Sequence, residues 1–227
     1  MIFFHCNGTV PLRVVPVTRE LFTRWWPFGW GALASRPMTR IIAGAHGGRR
    51  LSVPSGVHTR PTSDRVREAF FSTLETMTDL SGARFADLYA GSGAVGLEAL
   101  SRGADHVLLV ESDAKAARVV RDNVVALRVG PAARVVTGKV VQVLADPPDG
   151  GPYDVVFADP PYALGSDEVD AVQQELMANG WLAPDAVVVF ERSTRSTRRE
   201  PLSWVDGVVG DRTRRYGETT LWYGRRS

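Results

Sequence analysis

Asp159-Pro160-Pro161-Tyr162 follows the apolar run Tyr153-Asp154-Val155-Val156-Phe157-Ala158. These four residue types suit a particular task, the alkylation of an exocyclic amino group on a base. Such a nitrogen is a poor nucleophile because its lone pair is delocalised into the ring, so a site must hold both N–H bonds and aim the lone pair at the methyl. The Asp159 carboxylate can accept one N–H. The Pro160 carbonyl can accept the other, held rigid because Pro161 restricts the residue before it to extended conformations. Tyr162 offers a ring on which an extruded base stacks, worth ~1–3 kcal/mol. A strong general base is unnecessary when the leaving group departs neutral and the amine proton can follow. A nearby control is Asp146-Pro147-Pro148-Asp149. It lacks the aromatic residue, follows a short helical pattern and reads as a turn.

The second run is Asp87-Leu88-Tyr89-Ala90-Gly91-Ser92-Gly93-Ala94-Val95-Gly96, a strand end that passes through three glycines into a helix. Glycines there allow positive φ and close approach of a ligand, while unpaired N–H groups at the helix start attract polar atoms. Glu111 stands twenty residues after Gly91 and ends the apolar run Val107–Val110. A carboxylate at that tip can accept both hydroxyls of a ribose, so loop and acid describe a nucleoside cofactor site. The glycine spacing alone is shared with nicotinamide enzymes. Asp87 discriminates, because it would repel a pyrophosphate and suits a cationic ligand such as S-adenosylmethionine, with its sulfonium and amino group. Tyr89 and Ser112, beside the loop and the acid, join the expected cofactor set.

These residues need elements to position them. Apolar runs near 84–90, 106–111, 133–137, 153–158 and 186–191 predict strands buried on both faces, separated by helices near 94–102, 113–128 and 167–178. Such alternation predicts an α/β, doubly wound and mainly parallel sheet, whose ligands bind outside the carboxyl ends of the strands. Upstream, Arg40–Ala43 and Arg50–Val53 flank a glycine-rich turn and predict a hairpin, and residues 62–78 predict a helix with Thr62 or Ser63 as cap and Asp64 in its first turn. Val208-Val209 and Thr219–Tyr223 are expected to close the sheet as a hairpin around an arginine-rich turn.

The chain of 227 residues has 44% hydrophobic content and one cysteine, Cys6, which excludes an intramolecular disulfide scaffold and fits a reducing cytoplasm. No window approaches the ~18 apolar residues of a membrane span. The net charge of +2 conceals a division. Residues 1–37 carry 4 basic and 1 acidic side chains, 38–67 carry 6 and 1, 68–191 carry 8 and 19, and 192–227 carry 9 and 4. Basic ends around an acidic middle predict a polyanionic partner. Arg40, Arg49, Arg50, Arg60, Arg65 and Arg67 form the first cluster; Arg192, Arg195, Arg198, Arg199, Arg212, Arg214 and Arg215 form a second. His5, His46, His58 and His106 lack ligand spacing, so no metal is expected. Residues 1–37, interrupted by four prolines and without the n- and h-regions of a signal peptide, are expected to be a disordered tail or to precede a true start at Met38.

The glycine loop, the Glu111 tip and the Asp-Pro-Pro-Tyr run resemble the class I S-adenosylmethionine-dependent amino-methyltransferases. Arg40-Ile41-Ile42-Ala43-Gly44, Arg49-Arg50-Leu51 and Arg60-Pro61-Thr62, followed by Arg65–Leu74, resemble more narrowly the bacterial guanine-N2 methyltransferases that modify 16S rRNA of the small ribosomal subunit. The resemblance runs from Met38 nearly to the C-terminus. It implies a seven-stranded sheet with an N-terminal hairpin and helix, S-adenosylmethionine as cofactor, N2 of a guanine as acceptor, and 16S rRNA or the small subunit as partner of a cytoplasmic monomer. Carried over by position, Asp87, Gly91, Ser92, Gly93 and Gly96 are the cofactor loop, Glu111 the ribose ligand and Asp159–Tyr162 the catalytic run. Where many relatives place an acidic or polar residue against adenine, this chain has Gly138-Lys139-Val140, so Lys139 and Val140 are expected to read the ring through backbone atoms. The chain is thus expected to divide into residues 1–37, an RNA-binding block over 38–80 that includes Thr62, and a cofactor-binding catalytic domain over 81–227. The competing readings are a DNA adenine-N6 or protein glutamine-N5 methyltransferase, or a noncatalytic RNA-binding factor.

Overall fold

Five apolar runs, each without a polar face, must be covered on both sides, and the chain does this with helices on either face of one sheet. The computed structural model describes residues 38–54, 64–161, 165–195 and 201–227. Residues 1–37 lie outside it. The elements are β1 (Met38–Arg40), β2 (Arg50–Ser52), α1 (Asp64–Leu74), β3 (Arg84–Leu88), α2 (Ala94–Ser101), β4 (His106–Glu111), α3 (Ala114–Leu127), β5 (Ala133–Thr137), α4 (Val140–Leu144), β6 (Tyr153–Ala158), α5 (Ser166–Ala178), β7 (Leu182–Ser193), β8 (Val208–Tyr216) and β9 (Thr219–Arg226).

The sheet has seven strands in the order β5-β4-β3-β6-β7-β9-β8. The first five run parallel, and β9 inserts antiparallel between β7 and the edge strand β8. Side chains alternate along the strands. Phe85, Val107, Leu109, Val155, Phe157, Val187, Val189, Leu221 and Tyr223 enter one core with α1, α2, α3 and the β1–β2 hairpin. Ala86, Leu88, Leu108, Val110, Val156, Ala158, Val188 and Phe190 enter the other, under α4, α5 and the segment carrying Trp204. Helix α1 rides the first core through Phe70, whose ring centroid lies 4.9 Å from that of Phe157 and 6.4 Å from that of Tyr223.

The N-terminal hairpin is shorter than its apolar pattern predicts, because the Ile42 and Ala43 amides leave the strand and donate to the buried Glu98 carboxylate of α2 at 2.6 and 2.9 Å. Helix α1 begins at Asp64 and ends at Leu74 rather than at residue 78; its expected caps Thr62 and Ser63 lie outside the described residues. Strand β7 extends well beyond the expected 186–191, starting at Leu182 with Asp185 at φ 60° and a register shift against β6. The largest difference is at the C-terminus. The arginine-rich stretch read as a turn is strand β8 itself, paired residue for residue with β9 except at one irregularity near Asp211, and the turn is only Gly217-Glu218. An edge strand exposed on both faces shows no period-two pattern, so nothing in its hydropathy marks it.

Candidate active site

Strands β3 and β6 are neighbours in the sheet, yet the chain leaves β3 toward β4 on one side and reaches β6 only after returning past β5. The carboxyl ends of β3 and β6 therefore bound the crevice where the strand order reverses, the place at which open parallel sheets bind ligands. The Asp159 amide donates to the Leu88 carbonyl at 3.4 Å, so the Asp-Pro-Pro run leaves β6 against the last residue of β3. Both motifs singled out by residue type share this edge. The control run Asp146–Asp149 instead precedes β6, at the opposite edge; there Asp149 pairs with Arg134 and its carbonyl accepts from Arg84.

Beyond Leu88 the chain turns sharply, with Tyr89 at φ 72°, Gly91 at 58° and Gly93 at 77°, and Gly93 caps α2. A Cβ on Gly91 would meet nothing within 4 Å, so the loop presents open backbone to the crevice. Gly96 answers a different demand. A Cβ there would lie 2.7 Å from Leu109 Cδ2 and 2.8 Å from Val107 Cγ1, so glycine lets α2 pack directly on β4. The Gly91 amide donates to Glu111 Oε2 at 2.9 Å and the Asp113 amide to Glu111 Oε1 at 2.8 Å, which fixes the carboxylate at the tip of β4. Ser112 is exposed beside it. Gly138 donates to the Glu111 carbonyl at 3.0 Å; next to it Lys139 is exposed at the start of α4, while the Val140 side chain is buried in the second core. Tyr89 lies against the second core, and burial together with the charge of Glu168 pushes its hydroxyl up to about 12.

The carboxylates divide by environment. Asp87, 2% exposed, accepts one hydrogen bond, from the Gly96 amide at 2.9 Å. Burial, reinforced by the charge of Glu111, pushes it up to about 7. Asp159 is raised well above the ordinary carboxylate range by burial, then by the charges of Glu191 and Asp87. Glu191 was not anticipated from sequence. The β6–β7 register pairs Ala158 with Phe190, which sets Glu191 in step with Asp159, and Thr219 Oγ1 donates to its Oε1 at 3.3 Å. The signal available was the first polar residue after an apolar run, at the same strand end as Asp159. Asn123 was also missed. From α3 it donates to the carbonyls of Ser52 and Ser92, both at 2.9 Å, and accepts from the Ser52 amide, tying the glycine loop to the N-terminal hairpin. A polar residue on an amphipathic helix gives no warning of this role.

Pro160 is buried and Pro161 exposed, whereas Tyr162 lies outside the described residues, as do Arg60 and Thr62. The remaining N-terminal arginines do not form one surface. Arg50 and Arg65 are exposed. Arg40 pairs with Asp64 at 3.1 Å on the surface. Arg49 donates to the carbonyls of Ala126 and Leu127 at the C-terminus of α3. Arg67, expected to face RNA, is 1% exposed: it donates to the Arg40 carbonyl at 2.5 Å and to Asp64 at 3.2 Å, and lies 3.8 Å from Glu98. Its place on the inner stripe of α1, one turn before Phe70 and Phe71, explains the difference.

The family described as conserved hypothetical protein 95 matches residues 39–225. The ribosomal RNA small subunit methyltransferase D of Escherichia coli is 41% identical over 152 residues, spanning 67% of this chain and 73% of the relative. The chain belongs to this family. Its member of the same description from Haemophilus influenzae is 36% identical over 166 residues, spanning 73% of this chain and 84% of that one. A solved Escherichia coli structure described as a methyltransferase superposes with a TM-score of 0.72 at 35% identity, over 84% of this chain and 99% of the other. The mainly parallel seven-stranded sheet with an N-terminal two-stranded sheet is the class I methyltransferase architecture of these neighbours. No helix among the described residues is long and apolar enough to cross a membrane.

Proposed function

We propose that the chain transfers a methyl group from S-adenosylmethionine to the exocyclic N2 of a guanine in 16S rRNA. The observation that carries this reading is the meeting of Asp159 with the glycine-loop strand at the crevice between β3 and β6, in a family whose relatives are described as small-subunit rRNA methyltransferases. The residues fit the cofactor. Gly91 leaves backbone open, Glu111 suits the ribose hydroxyls, and Asp87 is a buried carboxyl with a single amide donor, a site that a cationic amino group would complete. Tyr89, Ser92, Gly96 and Ser112 shape the same loop, and the backbone at Lys139 and Val140 borders the adenine position. When bound, S-adenosylmethionine supplies an electrophilic methyl group.

The chain's own residues do the rest. Asp159 and the Pro160 carbonyl accept the two N–H bonds of the target amine, which orients its lone pair, while Pro161 keeps that carbonyl fixed. Tyr162, assigned from the motif, stacks on the base. Asp159 must be ionised to accept, and its raised value makes it a better proton acceptor as the amine becomes cationic. The block over 38–80 and the second arginine cluster hold RNA, and residues 81–227 hold the cofactor and the reacting base. Within the first block, Arg50 and Arg65 are the described arginines open to phosphate, whereas Arg49 ties the block to α3 and Arg67 ties it to Glu98 of α2.

Incubation with labelled S-adenosylmethionine and either 16S rRNA, small-subunit particles, DNA or protein, followed by nucleoside and amino-acid analysis, tests the reading. N2-methylguanine is expected from the rRNA arms. N6-methyladenine, methylated glutamine or no product would overturn it. Asp159→Ala is expected to lower turnover by at least a hundredfold with cofactor affinity unchanged.

A further inference from the structure

Building on the rRNA reading above, we infer that the free edge of the sheet, strand β8, is the principal rail for the RNA backbone, with Arg214 and Arg215 as its phosphate contacts. The crevice is acidic, with Asp87, Glu111, Asp159 and Glu191 gathered at the strand ends, so a base can enter only if the phosphates on either side are held elsewhere. The edge strand meets that need. Arg214 and Arg215 are exposed, and neither has an ion pair or side-chain hydrogen bond among the described residues.

Position supports the same conclusion. Arg214 is paired with Leu221, whose side chain faces α1, and Arg215 with Thr220, on the opposite face, so the two guanidinium groups flank the edge from both sides. The tip that follows them is fixed at the catalytic end of the sheet. Thr194 donates from its amide to the Glu218 carbonyl at 2.8 Å and from Oγ1 to the Gly217 carbonyl at 3.1 Å, and Thr219 donates to Glu191, the neighbour of Asp159. At ~3.4 Å per residue the arginines stand roughly 7–14 Å from that tip, within the reach of nucleotides adjoining an extruded base.

The other arginines of β8 and β9 are committed. Arg225 donates to the carbonyls of Asp185 and Met77, Arg226 to that of Leu182, and Arg212 binds Thr76 and lies 3.2 Å from Asp211. Charges on an edge strand also guard against edge-to-edge aggregation. That role makes a different prediction, since guarding the edge has no bearing on RNA affinity.

The test is binding of a full-length 16S rRNA transcript across a salt series by the full chain and by Arg214→Ser/Arg215→Ser, with S-adenosylmethionine binding as a check on the fold. The double variant is expected to lower the slope of log affinity against log salt by about 1.5, from two contacts at ~0.7–0.9 each, to weaken binding about tenfold at 150 mM salt, and to keep its cofactor affinity. Arg214→Lys/Arg215→Lys should retain the slope, and serves as the reading if the serine variant misfolds. An unchanged slope in the serine variant, or a lost slope in the lysine variant, would overturn the rail. Wild-type binding without methylation would overturn the proposed reaction and leave the rail standing; methylation with an unchanged slope would do the reverse.

Discussion

Residues 38–67 and residues 192–227 each carry a net charge of +5, yet the fold treats their arginines in opposite ways. In the N-terminal block Arg67 is buried against Glu98 and Asp64, and Arg49 is bonded to the C-terminal carbonyls of α3. On β8, Arg214 and Arg215 face solvent with no acid across from them. Equal charge therefore does not mean equal work. Which arginines meet a polyanion depends on whether the elements around them supply carboxylates and carbonyls first. The carboxylates repeat the contrast. Glu98, fully buried, meets two backbone amides, Arg102 at 2.9 Å and Arg67 at 3.8 Å, whereas Asp87, as deeply buried, meets only the Gly96 amide. The saturated Glu98 fastens the N-terminal block to α2, whereas Asp87, with its one amide donor, stands at the crevice.

The largest expected effect probes the fastened side. Removing one partner of a buried ion cluster leaves the others uncompensated, so Arg67→Ala should cost about 3–5 kcal/mol, read as a shift of the urea midpoint. A cost below about 1 kcal/mol would break the contrast. Asp87 probes the unsaturated side. Its carboxyl, near 3.8 when unfolded and about 7 when folded, makes the native state bind the extra proton between those values. The contribution of Asp87 to stability is therefore greatest below about pH 4 and falls by at most about 1.4 kcal/mol per unit as pH rises to about 7, then levels. Asp87→Asn should flatten that segment, and a profile the same in both proteins would refute it. Cofactor affinity should change the other way, strengthening toward pH 7 as Asp87 ionises to meet a cation. In catalysis, Glu191→Gln removes one of the charges that raise Asp159, so the acidic limb of the rate profile should move to lower pH.

The parallel core was legible because its central strands are buried on both faces, and uninterrupted Val, Leu and Phe runs have few other uses; β4 and β6 match their predicted bounds. The shared edge of the two motifs followed from topology, since parallel strands bring their carboxyl ends together whatever the loops do. Boundaries failed where a single contact decided them. Strand β3 stops at Leu88 because Tyr89 takes a left-handed conformation that no glycine announces, and β1 is cut short by Glu98, a carboxylate distant in sequence. Arg67 and Glu191 failed for a related reason: sequence gives a side chain's charge but not its neighbours. The closing hairpin was legible from Val208-Val209 and Thr219–Tyr223, but the extent of β8 through the arginines was not, because an exposed edge imposes no hydropathy period.

The smallest effect separates surface arginines that neighbour each other in sequence. Arg49 and Arg50 are both exposed, but only Arg49 reaches the terminal carbonyls of α3, where a cation meets the negative end of the helix dipole. Arg49→Ser should therefore cost about 0.3–1 kcal/mol in urea unfolding and leave the salt slope of RNA binding unchanged. Arg50→Ser should be neutral in stability and lower that slope by less than one unit, since Arg50 stands on β2, across the first core from the edge strand. If Arg49→Ser moved the slope while sparing stability, the bond to α3 would not be what occupies its charge, and the N-terminal block would rival the edge strand as the principal RNA contact.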